Sequence, residues 1–206
     1  MPGGSAGEAR RWHQRGQVNP SPHPPVPPRI IVLGCGNPSR GDDALGPLLV
    51  ERVGHWIRLH PDKPVAAVED FQFQVEHCLD LEDRELALFL DAAASGPEPY
   101  ALARLQPLAD ASFSTHALTP QAVLHAYRAL GHGEPPPSFL LAVRGRSFEL
   151  GEDLSPEARS NLEATWAMLE QLLETASLDH WDRLCTPSAQ GLLLGLDQRV
   201  EGLQEP

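Results

Sequence analysis

Three short runs in this chain are apolar at nearly every position, and between them apolar residues recur every third or fourth place. Ile30, Ile31, Val32 and Leu33 form the first run, Leu86 to Leu90 the second, and Phe139 to Val143 the third. An uninterrupted apolar run of this length is expected of a strand covered on both faces, as in a parallel sheet. The strands are therefore read as Arg29–Gly34, 85–90 and 138–144. A shorter run at 65–69 predicts another strand. At 100–105 the apolar residues alternate with Arg104 and Gln106, the pattern of an edge strand.

The helical stretches lie between these runs. Leu45, Leu48, Leu49, Val53, Trp56 and Ile57 predict a helix from about Asp43 to Leu59, which Pro61 and Pro64 stop. Val75, Cys78, Leu79 and Leu81 suit a short second one. Thr119 as N-cap with Pro120 at the first helical position opens a third, whose inner stripe is Ala122, Val123, Ala126, Tyr127 and Leu130. Ser155-Pro156-Glu157 opens the last, with Leu162, Trp166, Leu169, Leu172 and Leu173 facing inward. Strands alternating with helices predict an α/β fold: a mostly parallel five-stranded sheet, covered on both faces, with one antiparallel edge strand.

The flanks read differently. Prolines crowd the end of residues 1–28 and favour extended conformations over helix or sheet, which predicts a disordered Pro-rich leader. Residues 177–206 have a weaker pattern, with Leu192, Leu193, Leu194 and Leu196 set between Gly191, Gly195 and Gly202, and are read as a weakly ordered tail. The folded domain is thus expected to span 29–176.

Charge and composition narrow the function. A net charge of −12 over 206 residues argues against a sequence-independent nucleic-acid binder and against docking on anionic lipid. No apolar run is long enough to span a membrane, and the basic N-terminus, with Arg10, Arg11 and Arg15, has no apolar stretch behind it as a secretory signal would. Cys35, Cys78 and Cys185 are odd in number and widely spaced, so a reduced, cytoplasmic setting is expected.

The stretch Gly34-Cys35-Gly36-Asn37-Pro38-Ser39-Arg40-Gly41-Asp42-Asp43 is a Gly-rich turn between the first strand and first helix. A dinucleotide fingerprint would place Gly at Ser39, and a phosphate loop would follow Gly41 with Lys rather than Asp42. An acidic pair would repel phosphate. No nucleophile elbow is present, and Cys35 reads as a small buried residue. Asp43, Asp91 after the third strand, and His116 before the third helix arrive on separate loops. Two carboxylates and an imidazole suit a divalent transition metal with open positions. Helix capping and turn chemistry explain the same residues equally simply. Asp42 reads as a cap for the first helix, with Asp43 the inward group, and His77, His125 and His132 read as surface or partly packed.

Gly34 to Pro47, Leu88-Phe89-Leu90-Asp91-Ala92 and Ser114-Thr115-His116 resemble, in order and spacing, the maturation proteases of nickel-iron hydrogenases. The resemblance spans about residues 29 to 175. It implies a three-layer αβα domain and an endopeptidase that removes the C-terminal extension of a hydrogenase large-subunit precursor once nickel has been inserted. Asp43, Asp91 and His116 would contact the nickel that the precursor carries and do the catalytic work. The enzyme would act as a monomer. Where many family members have a Gly-rich recognition loop after the second strand, this chain has Phe71, Gln72, Phe73 and Gln74, which makes these residues the candidate specificity element. The competing reading is a non-catalytic metal-binding chaperone of the same precursor.

Overall fold

The apolar runs become the three inner strands of one sheet. In a computed structural model, which describes residues 29–109 and 118–186, the strands are β1 (Ile30–Cys35), β2 (Val65–Asp70), β3 (Leu86–Ala93), β4 (Tyr100–Arg104) and β5 (Ser138–Arg144). Their order across the sheet is β2-β1-β3-β5-β4. β1 pairs in parallel with β2 and β3, β3 in parallel with β5, and β4 runs antiparallel along β5. The α/β architecture, the mostly parallel sheet and its antiparallel edge are as the sequence predicts.

Alternation along each strand divides the core in two. Ile30, Val32, Leu88, Leu90 and Leu141 face α1 (Leu45–Leu59) and α3 (Pro156–Glu174). Ile31, Leu33, Phe89 and Leu140 face α2 (Pro120–Ala129) and a 3-10 helix at Val75–Leu81. The result is three layers. The caps predicted for the last two long helices form: Thr119 accepts a hydrogen bond from the Ala122 amide, and Ser155 from the Ala158 amide.

Four expectations need correction. The first α-helix begins at Leu45, because Gly41–Ala44 winds as a separate 3-10 turn. α2 ends at Ala129, so Leu130 turns outward to 60% exposure and Leu124 takes its place in the core. β3 does not stop at Leu90; β5 continues opposite it, pairing Asp91 with Ala142 and Ala93 with Arg144. Asp91 is therefore held inside a strand.

The largest difference lies past residue 176. Residues Leu178–Leu184 form a helix, α4, and Trp181 is 0% exposed. Its ring meets Phe139 edge to face at 5.2 Å, and its indole N–H donates to the Leu172 carbonyl at 3.0 Å. Leu178, Trp181 and Leu184 repeat at helical spacing over only two turns, too short a signal to stand out in the sequence, yet the tryptophan ring alone buries a large apolar area. The domain thus extends at least to Thr186, whose amide donates to the Leu102 carbonyl at 2.7 Å while its hydroxyl accepts from the Leu102 amide at 3.2 Å. The Pro-rich leader and the tail from 187 onward lie outside the described residues. Trp181→Phe keeps most of the volume and loses one buried hydrogen bond, leaving the Leu172 carbonyl without this donor; it should cost about 1–2 kcal/mol in denaturant unfolding.

Candidate active site

Sheet register assembles the site. Cys35 of β1 pairs with Asp70 of β2, and the ladder between β1 and β3 ends with Gly34 opposite Leu90, so Asp91 stands one step further, beside Cys35. Cys35 shares its face with Ile31 and Leu33; by the same period of two, Asp70 shares that face with Val68, and Asp91 with Phe89. Asp70, Cys35 and Asp91 thus form one row across three strands, with the outer two residues about 10 Å apart at their backbones. Ala142 and Ala101 continue the row on β5 and β4. The chain leaves β1 for β2 on one side and β3 lies on the other, which makes the carboxyl ends of β1 and β3 a topological switch point, where open α/β sheets place their ligands.

The Gly-rich turn brings in the next carboxylate. At Gly36, with φ of 148°, a β-carbon would sit 2.0 Å from the Asp43 carbonyl oxygen, so only glycine lets the turn fold back this closely. One Asp43 carboxylate oxygen accepts from the Asn37 amide at 2.8 Å. The thiol of Cys35 registers the result. Burial pushes its pKa far up, and the charges of Asp91, Asp70 and Asp43 push it further. Three carboxylates therefore lie within electrostatic reach of one buried sulfur, and Cys35 is inert filler, as its sequence context suggests.

Asp42 does not cap the helix it precedes. Its carboxylate is 0% exposed and accepts from the Arg146, Ser147 and Ser155 amides at 2.6, 3.0 and 2.7 Å and from the Ser155 hydroxyl at 2.8 Å. Ser155 in turn caps α3, so Asp42 supports the start of a helix more than a hundred residues away. Burial alone would raise its pKa; the three backbone donors and the hydroxyl outweigh that, and the net shift is downward. Of the acidic pair, Asp42 ties the turn to the β5–α3 connection and Asp43 belongs to the crevice.

The loop after β2 divides as well. Phe71 is 69% exposed and Gln72 is exposed, as a contact surface requires. Phe73 is 4% exposed and meets Phe89 edge to face at 5.3 Å, so its ring is core and is unavailable to a partner. Bends at Phe71 and Gln72 break the strand's period of two, so Phe73 falls back toward the sheet where Phe71 turns away. Gln74 is occupied within the chain, its side-chain amide donating to Asp70 at 3.2 Å. His77, expected at the surface or partly packed, is buried at 6% exposure, and Asp70 lies one residue past the predicted second strand. Asp70 looked like the start of a loop, and only the register with Cys35 reveals its place.

His116 lies outside the described residues; the described chain resumes at Leu118, whose amide donates to the Phe73 carbonyl at 3.0 Å. Among the described residues no three His, Cys, Asp or Glu side chains are grouped to hold a metal ion, so Asp43 and Asp91 need a further donor to complete such a set. The acidic crevice suits a cation, and its two carboxylates fit a divalent metal ligand set in kind.

The three layers make an αβα domain, a fold shared with solved structures of hydrogenase maturation endopeptidases. Among solved structures, the chain is similar to the nickel-iron hydrogenase maturation protease HycI from Thermococcus kodakarensis, with 23% identity and a TM-score of 0.55 over 72% of this chain and 94% of that one. It is also similar to the hydrogenase maturating endopeptidase HybD from E. coli, with 24% identity and a TM-score of 0.53 over 71% and 93%. A hydrogenase 2 maturation peptidase from a Thaumarchaeota archaeon matches with 23% identity and a TM-score of 0.50 over 71% and 98%. No protein-family model matches the sequence, and no curated protein does. At these identities the likeness establishes a shared fold.

Proposed function

We propose that this chain is a processing endopeptidase of hydrogenase maturation, which removes the C-terminal extension of a nickel-iron hydrogenase large-subunit precursor after nickel insertion. The observation that carries the reading is the gathering of Asp43 and Asp91 around Cys35 at the switch point of a fold shared with such endopeptidases. Nickel belongs to the substrate in this reading: the precursor presents it, and Asp43, Asp91 and His116 receive it. A metal so placed polarises a carbonyl or lowers the pKa of an attacking water. The chain's own contribution is orientation. Asn37 fixes Asp43, and the β3–β5 pairing fixes Asp91. Phe71 and Gln72, exposed beside the crevice, contact the precursor. The three free thiols fit a reducing cytoplasm as the setting. No described helix is long and apolar enough to cross a membrane.

The test is to mix the full chain with nickel-loaded and nickel-free large-subunit precursor and follow precursor mass. Loss of a C-terminal peptide from the nickel-loaded form alone is the expected result. Stable complex formation without any mass change would instead make the protein a chaperone of the precursor.

A further inference from the structure

The one buried imidazole beside the crevice among the described residues has a bonding pattern that a structural cap alone does not need. His77 is 6% exposed, and its Nδ1 accepts from the Gln74 amide at 2.9 Å. With Nδ1 an acceptor, the neutral ring carries its proton on Nε2. That nitrogen faces the Oδ2 of Asp70 at 3.6 Å, an electrostatic contact just beyond hydrogen-bond length. The same oxygen accepts from the Gln74 side chain at 3.2 Å, and Oδ1 accepts from the Phe71 amide at 2.6 Å. The ring also stands edge-on to Phe73 at 6.2 Å, and Phe73 packs edge-on against Phe89, two residues before Asp91. The 70–77 loop is thereby locked to the strand that carries a second crevice carboxylate.

Capping the Gln74 amide asks only for an acceptor close to the backbone, which a short side chain supplies. The rest of the imidazole reaches past that duty and ends at Asp70. We infer that His77 is a positioning residue: it holds the Asp70 carboxylate in the row with Cys35 and Asp91, as an anionic acceptor for the cleavage reaction proposed above, on which this inference rests. Two substitutions separate the two halves of the ring. Gln places a donor near the position of Nε2 and gives up the Nδ1 acceptor; Asn keeps an acceptor near Nδ1 and leaves Asp70 without its neighbour.

The experiment measures steady-state cleavage of nickel-loaded precursor by the full chain, with thermal melting of every variant as a control on folding. His77→Asn should lower kcat about tenfold or more with KM nearly unchanged, and His77→Gln should stay within about threefold of the wild type. In an Asp70→Asn background, His77→Asn should cost nothing further, because the residue it serves is already gone. An active His77→Asn chain beside an impaired His77→Gln chain, or losses that multiply in the double variant, would overturn the inference and leave His77 as a cap of the 3-10 helix. A wild-type chain that leaves the precursor uncut would overturn the proposed function, and this role with it.

Discussion

An Asp91→Asn chain should process nickel-loaded precursor at less than about one hundredth of the wild-type rate, since even outer partners of a metal site are worth tenfold to a hundredfold. The change preserves shape, so the strand should persist. Asp91 sits opposite Ala142, and its neighbours Leu90 and Ala92 anchor β3 in the core on the other face. What disappears is one unit of negative charge at the point where the switch of strand order opens the sheet. Melting temperature should therefore stay close to the wild type while peptide release, read by mass, collapses. Unchanged release from the Asp91→Asn chain would remove this carboxylate from the site.

The opposite pattern is expected one residue upstream of Asp43. Asp42→Ala leaves three backbone amides and a serine hydroxyl without the carboxylate that binds them. Each abandoned buried donor costs about 1–3 kcal/mol, so about 3 kcal/mol or more of stability should be lost. That is a melting point lower by roughly 6–12 °C. The sign of the pH dependence follows from the lowered pKa of Asp42. A carboxylate whose native pKa is depressed contributes fully above its unfolded value, about 3.9, and its contribution is lost as pH falls through the native value. Asp42→Asn should thus be least stable relative to the wild type near neutrality, and the gap should narrow as the pH is taken below about 4. A gap independent of pH would mean that shape rather than charge is what the turn requires.

The two aspartates show what the chain discloses by itself and what it withholds. Apolar runs such as Ile30 to Leu33 have one physical explanation, burial on both faces, and the sheet follows from them directly. Asp43 and Asp91 could be singled out because each follows a predicted strand, and strand ends in such sheets share one edge. Asp42 could not be assigned correctly, since its partners lie 104 to 113 residues away and nothing local marks them. Asp70 was hidden for a similar reason: its neighbour Cys35 is set by register, which a single strand's sequence does not encode. Phe71 and Phe73 look alike in sequence, and only the direction in which each side chain leaves the loop makes one surface and the other core. Trp181 escaped because its repeat, Leu178-Trp181-Leu184, spans only two helical turns beside a glycine-broken leucine run.

The pairing of Thr186 with Leu102 bears on how this molecule keeps company with its own copies. A sheet that ends in an open strand invites neighbours to add to it, the first step toward aggregates. β4 is one rim of this sheet, and α4 returns the chain so that Thr186 occupies both the amide and the carbonyl of Leu102. At the other rim, β2 ends in Glu69 and Asp70, charges that repel an identical strand. The start of the segment read in the sequence as a weakly ordered tail is a guard on the sheet's open side.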